Sequence, residues 1–457
     1  MHIHILGIAG TMTASLAVAL KKEGYLITGS DQEKIYPPIS TLLEKADIKI
    51  NNSEINNNID LVIVGSSFSS FKKSKEEFKK IKKLKIKYIS ASNFIGQNLI
   101  KENSILIAGT YGKTTISSLI SWIFHQAKFN PNYMFGGESL NNFSATNISS
   151  SNWSIVEADE SIHGLDTQAK FLYYPVKFLL LTSADWEHKD SYSTEIENFN
   201  SFKKLITNLP KEGLLFINSK GFQTKELSLY SNSKIITYNS PNSDYYLKNI
   251  KIKTNYTLLE IKTPRNILEI KTNLIGQFNF ENILAAVTVA DSLKLDQNKI
   301  KKAISTFKGV KRRIEKIYDK KNILIFDDFA QSSNRIESTL TAIHSHFPQK
   351  NIKVLYQPHA SFLQYKESLK DFEKAFEIAS EVVLAKLNYQ NGVDKNNRTT
   401  AKDFINIIGK KLKYIPINEG IIDFYKQNLK NGDILINMNS GGFDENKIIK
   451  SLINSLK

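Results

Sequence analysis

Short apolar segments alternate with amphipathic or charged segments along almost the whole chain of 457 residues. The apolar segments predict strands at 2–6, 25–28, 61–64, 87–89, 105–108, 153–156, 176–181, 213–218, 256–262, 323–326, 353–356, 382–385 and 434–437. Helical spacing or charge predicts helices at 14–22, 72–83, 116–124 and 283–293. Because strands and helices alternate, we expect an α/β fold with parallel sheets.

The length of the chain exceeds what a single hydrophobic core normally serves, so several domains are expected. We predict a Rossmann-like domain at residues 1–100, a central P-loop ATPase-like domain with a parallel sheet at 101–307, and a second Rossmann-like domain at 308–457. No internal repeat or low-complexity linker interrupts this order.

The composition narrows the class of protein. Hydrophobic residues make up 41% of the chain and there is no cysteine, which excludes disulfides, thiolate zinc sites and cysteine nucleophiles. No apolar segment approaches the roughly 20 residues of a membrane helix, and the N-terminus does not resemble a signal peptide. We therefore expect a cytoplasmic globular protein without a membrane partner.

The formal net charge of +16 has two interpretations. It could attract an anionic partner such as nucleic acid or a phosphorylated substrate, or it could reflect a solvated lysine-rich surface. The lysines are scattered and lack interleaved aromatic residues or a recognisable nucleic-acid module, so we favour the second interpretation and expect no nucleic-acid partner.

The strongest local motif is Gly-Thr-Tyr-Gly-Lys-Thr-Thr at residues 109–115, between a predicted strand and a predicted helix. Glycines allow backbone N–H groups to surround phosphate oxygens, and the helix N-terminus adds a positive potential. The full P-loop consensus has glycine where this chain has Ile107, so the motif is a variant. A fortuitous strand-to-helix turn is the alternative, but the flanking pattern favours ATP binding by Gly109, Thr110, Gly112, Lys113, Thr114 and Thr115.

A second glycine turn, at residues 7–12, follows the first predicted strand, and Asp31 ends the next one. This is the layout of a Rossmann-like nucleotide site, in which the acid can contact a ribose or a base. The dinucleotide fingerprint requires glycine at 7, 9 and 12, and only Gly7 matches. We therefore expect a nucleotide diphosphate here and not NAD.

Acidic and histidine side chains follow two predicted strands of the central domain, at residues 157–160 and 187–190. Ligands gather at the carboxyl ends of parallel strands, and carboxylate oxygens with a neutral imidazole can hold Mg²⁺. Glu157 and His188 are therefore candidate metal ligands. Taken alone, His188 would be interpreted as a solvated loop histidine, but the phosphate loop of the same domain favours the site.

Two asparagines one turn apart, Asn279 and Asn282, lie at the predicted start of the helix at 283–293. They could cap the helix, or their amides could hydrogen-bond an adenine edge. The sequence leaves these two interpretations open.

Together and in this order, the stretches at 7–12, 109–115, 157–160, 187–190, 276–282, 307–313 and 327–328 resemble the Mur ligase family, ATP-dependent amide-forming enzymes of peptidoglycan synthesis. The resemblance covers nearly the whole chain. It implies that a lactyl carboxylate of UDP-N-acetylmuramate takes the γ-phosphoryl group of ATP, and that an amine then displaces phosphate. It also implies one or two Mg²⁺ ions.

The resemblance implies roles for particular residues. Lys113, Glu157 and His188 would be catalytic; Thr114 and Glu157 would hold one metal ion, and Glu157 with His188 a second. Further ATP contacts would come from Asn279, Asn282, Arg313, Asp327 and Asp328. The UDP-sugar would contact Gly7, Gly10, Thr11, Met12, Asp31 and Asn142. Lys170 is a candidate for the carbamoylated lysine of some members, although an ordinary surface lysine is the preferred interpretation.

Two groups of the family act on UDP-N-acetylmuramate itself, one adding L-alanine and one adding the peptide L-Ala-γ-D-Glu-meso-diaminopimelate. The segments 10–12, 30–31 with 36–41, and 440–443 resemble the peptide-adding group, and 356–359 resembles the alanine-adding group. We expect the peptide, with L-alanine as the alternative.

Two segments depart from the family pattern. Residues 331–333 are Gln-Ser-Ser instead of His-His-Pro, and residues 360–362 lack an expected arginine. Both lie in the domain expected to receive the amine, so they bear on its identity and on catalysis. A non-catalytic nucleotide-binding relative is therefore a second hypothesis, and an NAD-dependent dehydrogenase, weakened by the missing glycine at position 9, is a third.

Overall fold

The computed structural model describes residues 1–32, 35, 39–51, 54–66, 68, 71–162, 164–165, 168–187, 191–253, 255–358, 366–389, 398–439 and 447–456. The chain forms two compact units. The first comprises Met1–Leu274 and Asn279–Gly309, and the second comprises Ile275–Phe278 and Val310–Lys457.

The first unit begins with a five-stranded parallel sheet, ordered β3-β2-β1-β4-β5. Its strands are β1 (His2–Leu6), β2 (Leu26–Ser30), β3 (Lys49–Ile50), β4 (Leu61–Val64) and β5 (Tyr88–Ser90). Its helices are α1 (Thr11–Lys22), α2 (Ile39–Lys45), α3 (Lys72–Lys83) and α4 (Ala91–Asn98). The strand order reverses beside β1, which places the Gly7 turn at the crevice where open α/β sheets bind ligands.

A seven-stranded sheet follows, ordered β12-β11-β10-β6-β9-β7-β8 and parallel except for its last pair. Its strands are β6 (Asn103–Ala108), β7 (Asn132–Met134), β8 (Thr146–Asn147), β9 (Trp153–Ala158), β10 (Phe178–Leu181), β11 (Leu214–Asn218) and β12 (Lys234–Tyr238). Its helices are α5 (Lys113–Gln126), α6 (Glu195–Thr207) and α7 (Thr224–Ser228), with a 3₁₀ turn at Lys170–Tyr173. Because β6 lies between β9 and β10, the carboxyl ends of all three meet at one edge.

The first unit ends with a small antiparallel sheet and two helices. The strands are β13 (Tyr246–Ile252), β14 (Thr257–Lys262) and β15 (Ile267–Thr272). The helices are α8 (Gln277–Ser292), of which the part from Asn279 onward belongs to this unit, and α9 (Gln297–Thr306). On β15, buried and exposed side chains alternate, as expected for a strand with one face against the core.

The second unit has a six-stranded sheet, ordered β16-β17-β21-β18-β19-β20, in which only the β16–β17 pair is antiparallel. The strands are β16 (Glu315–Lys320), β17 (Ile323–Asp328), β18 (Asn351–Gln357), β19 (Glu381–Leu384), β20 (Leu412–Tyr414) and β21 (Asp433–Asn439). The helices are α10 (Ser333–His346), α11 (Phe372–Ala375), α12 (Ala401–Ile408), α13 (Asn418–Asn428) and α14 (Lys447–Leu456), and 3₁₀ turns lie at Lys366–Leu369 and Gly409–Lys411.

The predicted α/β fold with parallel sheets is confirmed. Several strands are longer than the apolar segments that predicted them, because polar residues at their ends also pair with the neighbouring strand. Glu157 pairs with Ile107 at the end of β9, and Asp327 pairs with Asn437 at the end of β17. Among the described residues, none of the helices combines the length and apolar character needed to span a bilayer.

Candidate active site

The loop between β6 and α5 has a backbone that requires glycine at two positions. Gly109 has φ 116° and Gly112 has φ 81°, in the region that L side chains rarely adopt. A Cβ atom at Gly109 would lie 2.4 Å from Thr182 Oγ1, and one at Gly112 would lie 2.5 Å from Asn282 Oδ1. The loop backbone is therefore closely packed against Thr182 and Asn282.

The side chain of Lys113 lies inside the loop and forms a buried ion pair with Glu160. Its Nζ donates to Gly109 O at 2.6 Å and to the Oε1 and Oε2 atoms of Glu160 at 2.8 and 2.7 Å. Only 12% of the Lys113 side chain and 3% of the Glu160 side chain are exposed. Sequence reasoning included Glu160 in a motif but assigned it no role; its position three residues after Glu157 was the available signal.

Thr114 and Glu157 are brought together as predicted for a metal site. Thr114 Oγ1 donates to Glu157 Oε1 at 3.0 Å, and the Gly136 N–H donates to Glu157 Oε2 at 2.6 Å. Burial raises the pKa of Glu157, with the Gly136 N–H and the Lys113 ammonium opposing that shift. The carboxylate is thus buried in a place where a cation would favour its ionised form.

The three carboxylates at the end of β9 differ in whether they form ion pairs. Among the described residues Lys113 pairs with Glu160 and Lys170 pairs with Asp159, whereas Glu157 forms no ion pair. A buried carboxylate without an ammonium partner, next to the hydroxyl of Thr114, offers the hard oxygen donors that Mg²⁺ prefers. No group of three or more His, Cys, Asp or Glu side chains in the described part of the chain is arranged to hold a metal ion.

Lys170 is not the surface lysine that the sequence favoured. Its Nζ lies 2.7 Å from Asp159 Oδ2 and 2.8 Å from Ser161 Oγ, and its side chain is 16% exposed. Burial would raise the pKa of Asp159, but the Lys170 ammonium outweighs it and lowers that pKa to about 2. The 3₁₀ turn at Lys170–Tyr173 turns the lysine toward β9, which local sequence could not indicate. Its carbamoylation stays a prediction.

The segment after β10 supports the phosphate loop. The Thr110 N–H donates to Ser183 O at 3.0 Å, Thr110 Oγ1 donates to Asp185 O at 3.1 Å, and Thr182 Oγ1 donates to the Tyr111 carbonyl at 2.8 Å. Thr115 is buried in the first turn of α5. The other predicted metal ligand, His188, lies outside the described residues.

Asn279 and Asn282 lie within the first turns of a helix. Helix α8 begins at Gln277, so both asparagines lie within its first two turns, and Asn279 is buried. The Asn282 amide contacts Asn279 Oδ1 at 3.4 Å and lies against Gly112 of the phosphate loop. Neither asparagine occupies the N-cap position itself, and the Asn282 amide lies beside the phosphate loop.

Asp327 and Asp328 are buried at the end of β17 in the second unit. The Asn437 amide donates to Asp327 Oδ1 at 2.8 Å, and burial raises the pKa of Asp327 to about 7 although the Arg312 guanidinium partly offsets it. Burial also raises the pKa of Asp328, and the charge of Arg313 opposes that shift. Arg312, which had no predicted role, has its Nε 3.7 Å from Asp327 Oδ2.

Asp328 also organises its own loop. Its carboxylate accepts the Ile314 N–H at 2.7 Å, the Ala330 N–H at 2.8 Å and the Thr339 hydroxyl at 3.2 Å. The structure therefore gives Asp328 a supporting position, and its predicted contact with ATP stays a prediction.

The first glycine turn is built around Asp31, which is buried at the end of β2. Its two carboxylate oxygens accept the Ala9 and Gln32 N–H groups, each at 2.8 Å, and the Gly7 N–H donates to Ser30 O at 2.8 Å. Gly10 precedes α1, Thr11 is exposed and Met12 is partly buried. The acid thus supports the turn, and its contact with a ribose or base stays a prediction.

Asn142, the remaining predicted UDP-sugar contact, is exposed and has φ 56°. Its neighbour Asn141 holds the segment by donating to Thr306 O at 2.8 Å and accepting from the Lys308 N–H at 2.8 Å. These contacts place residue 142 on a defined loop of the first unit.

Of the segments that depart from the family pattern, only the first is described. Gln331 is buried, its carbonyl accepts the Tyr356 hydroxyl at 3.0 Å, and α10 begins two residues later. The replacement of His-His-Pro thus lies at the carboxyl end of β17. Residues 360–362, 440–443 and position 359 lie outside the described residues, as do 33, 34 and 36–38.

The glycine loop, the lysine in its first helical turn and the buried carboxylate on the neighbouring strand define a nucleoside-triphosphate-binding protein of the P-loop type. Comparison with known proteins narrows this class. The family models for the Mur ligase catalytic domain and the Mur ligase middle domain match residues 2–102 and 107–290. A UDP-N-acetylmuramate–L-alanine ligase from Brachyspira hyodysenteriae is 31% identical over 452 residues, which are 96% of this chain and 95% of that protein. The chain belongs to the Mur ligase family.

Solved structures agree with this assignment at the level of the fold. A UDP-N-acetylmuramate–alanine ligase from Thermotoga maritima superposes with a TM-score of 0.81 at 20% identity, and each chain is covered completely. A murein peptide ligase from Psychrobacter arcticus gives a TM-score of 0.71 at 24% identity, covering 100% of this chain and 98% of that one.

The predicted family and the prediction of an ATP-dependent, ADP-forming ligase are confirmed. The family assignment favours the ligase over the hypotheses of an NAD-dependent dehydrogenase and of a non-catalytic nucleotide-binding relative. The prediction of a peptide as the amine is only partly right. The predicted ligase activity is confirmed. The relative from Brachyspira hyodysenteriae, however, is named for a reaction with L-alanine, which favours L-alanine over the peptide as the amine.

Proposed function

We propose that this protein joins L-alanine to the lactyl carboxylate of UDP-N-acetylmuramate, with conversion of ATP to ADP and phosphate. The observation that carries the choice of L-alanine is the 31% identity, over 95% of its length, to a relative named for that reaction. The cytoplasm is the proposed location, since a cysteine-free chain that uses ATP suits a reducing compartment.

The proposed chemistry has two steps. A carboxylate oxygen of the muramate attacks the γ-phosphorus of ATP, the bond to the β-phosphate oxygen breaks, and ADP leaves. The amine nitrogen of L-alanine then attacks the acyl carbon, the bond to the phosphate oxygen breaks, and the nitrogen loses a proton as the amide forms. Charge on the transferring group must be stabilised by positioned cations and N–H donors.

Residues of the phosphate loop support this proposal. Lys113 supplies a cation within the loop, and the N-terminus of α5, which begins at Lys113, adds a positive potential. Thr114 and Glu157 fit a Mg²⁺ ion, because their oxygens lie 3.0 Å apart and Glu157 has no ammonium partner in the described chain. His188 is proposed as a further ligand on the family resemblance alone. When bound, the metal would supply positive charge beside the phosphates.

The remaining contacts are proposed from the family pattern. Asn279 and Asn282 would bind the adenine, and Arg313, Asp327 and Asp328 would complete the ATP site. The UDP-sugar would lie at Gly7, Gly10, Thr11, Met12, Asp31 and Asn142. The Asn282 amide beside Gly112 supports the first of these contacts.

The test is the mass of the nucleotide product after incubation with ATP, Mg²⁺, UDP-N-acetylmuramate and one amine at a time. We expect L-alanine to add its mass less one water, with one ADP formed per product. A reaction without UDP-N-acetylmuramate is the control and should release no phosphate. Product formed with L-Ala-γ-D-Glu-meso-diaminopimelate but not with L-alanine would reverse the choice of amine, and no product with either would overturn the proposal.

A further inference from the structure

The ammonium group of Lys113 has no hydrogen left for a phosphate oxygen. A lysine ammonium has three N–H donors. Here they face three acceptors within 2.8 Å, which are the Gly109 carbonyl and the two carboxylate oxygens of Glu160. To contact ATP, Lys113 has to give up at least one of these partners.

Glu160 is the partner that has to be exchanged. The Gly109 carbonyl belongs to the loop itself and moves with it, whereas Glu160 follows β9 on a different element. Glu160 is held in place through its backbone, because its carbonyl accepts the Tyr192 hydroxyl. A buried carboxylate that is fixed in this way competes with phosphate for the same ammonium.

The charge of the site follows from this pairing. Among the described residues, the Lys113 ammonium is paired with the Glu160 carboxylate and the Lys170 ammonium with the Asp159 carboxylate, so both of these cations at the end of β9 are already paired with carboxylates. A polyanion meets repulsion at such a site until a cation is added. The freed lysine would remove part of that repulsion.

We propose that Glu160 is a positioning residue that holds Lys113 until the triphosphate and its metal ion arrive, so that nucleotide binding requires the metal. The proposal rests on the proposed ATP-dependent function. On binding, the ammonium moves from the Glu160 carboxylate to a phosphate oxygen, and no covalent bond changes. Glu160 thereby weakens the binding of metal-free ATP.

The test is calorimetric titration of the full chain with ATP, once with excess Mg²⁺ and once with EDTA. The variant Glu160→Gln keeps the shape of the side chain and removes its charge. We expect it to bind metal-free ATP about tenfold more tightly than the wild type, the size expected for loss of one competing charge-assisted hydrogen bond. The ratio of the affinities with and without Mg²⁺ should fall correspondingly.

Glu187→Gln is the matched control. Glu187 accepts the Tyr111 hydroxyl of the same loop at 2.7 Å but has no contact with Lys113 in the described structure. It is more exposed than Glu160, so the same change of charge should alter metal-free binding by less than about twofold. Unchanged or weaker metal-free binding by Glu160→Gln would overturn the proposal and leave Glu160 as a support of the loop.

A second variant covers the case in which Glu160→Gln does not fold. Glu160→Asp keeps the charge but withdraws the carboxylate by one methylene, and we expect an intermediate tightening of metal-free binding. Weaker binding by that variant would contradict the proposal. Failure of the proposed function is distinguishable, because it would appear as absence of the amide product in a wild-type protein that still binds ATP.

Discussion

Thr114 Oγ1 lies 3.0 Å from Glu157 Oε1 and joins the first turn of α5 to the end of β9. The two residues are 43 positions apart, and Glu157 is buried. The contact places a hydroxyl and a buried carboxylate where the metal of a phosphate loop is expected.

Glu157→Gln should lower kcat for amide formation by about 100-fold or more, because the charged oxygen ligand is lost. It should also raise the free energy of unfolding at neutral pH. Burial raises the pKa of Glu157, so the ionised form costs stability, and that cost grows as pH rises through the folded-state pKa. Steady-state kinetics and urea unfolding measure the two effects. Glu138→Gln, at an exposed carboxylate of the neighbouring loop, should change neither, and an equally inactive control would count against the assignment.

Lys113→Met should destabilise the first unit by about 3–5 kcal/mol, because it leaves the Glu160 carboxylate buried without its cation. The double variant Lys113→Met with Glu160→Gln should recover part of that loss, which a double-mutant cycle from urea unfolding measures. Lys316→Met removes an exposed pair with Asp319 and should cost less than about 1 kcal/mol. If the loss of unfolding free energy in the double variant equals the sum of the losses in the two single variants, Lys113 and Glu160 are not energetically coupled.

Gly112→Ala should abolish nucleotide binding and destabilise the protein more than Gly24→Ala does. Both glycines have positive φ, 81° and 88°, so each alanine bears the left-handed strain of about 1–2 kcal/mol. Only at Gly112 would the new Cβ also meet a neighbour, Asn282 Oδ1 at 2.5 Å, whereas nothing lies within 4 Å at Gly24. Thermal unfolding and ATP titration provide the comparison. Equal losses of stability would mean that the loop relaxes around the added methyl group.

Asp327→Asn should remove part of the pH dependence of stability in the second unit. Burial raises the pKa of Asp327 to about 7, so its contribution to stability is complete below its unfolded pKa of about 4 and is lost as pH rises to about 7. In the wild type, Asp327 should lower the free energy of unfolding by at most about 1.4 kcal/mol per pH unit over this range, and the variant should lack this dependence. Urea unfolding from pH 4 to 8 measures it. Asp319→Asn, at an exposed carboxylate, should keep the wild-type slope, and an unchanged slope in Asp327→Asn would contradict the assignment.

His4→Gln should reduce the acid sensitivity of the first unit. His4 is buried in β1, where its ring contacts Thr28 Oγ1 at 2.9 Å and Ser30 Oγ at 3.0 Å, and burial lowers its pKa to about 4. The unfolded chain therefore takes up a proton first, and the wild type loses stability as pH falls from about 6.5 to 4. The variant should lose less over that range, as measured by urea unfolding. His125→Gln, at an exposed histidine, is the control; the same change of slope in both variants would exclude His4 as the cause.

Much of the architecture was predictable because it depends on local patterns. Buried strands appear as short, mostly apolar segments and an exposed helix as a charged segment, so β1, β4 and α3 were predicted at their observed bounds. The loop at 109–115 was predictable for a similar reason, since its glycines satisfy a backbone requirement within seven residues. Element ends were predicted less well, because polar residues such as Asp327 still pair in the ladder.

By itself, the sequence determined the fold class, the phosphate loop and the acids at the strand ends, since each is written in residues that are neighbours along the chain. The tertiary structure alone decided which side chains meet. The order β10-β6-β9 brings Glu160 to Lys113 across 47 positions, and the 3₁₀ turn at 170–173 brings Lys170 to Asp159. Strand order depends on how whole strands pack against one another, and a buried charge is costly unless it is paired. No local sequence pattern could therefore show that Lys113 forms an ion pair with Glu160.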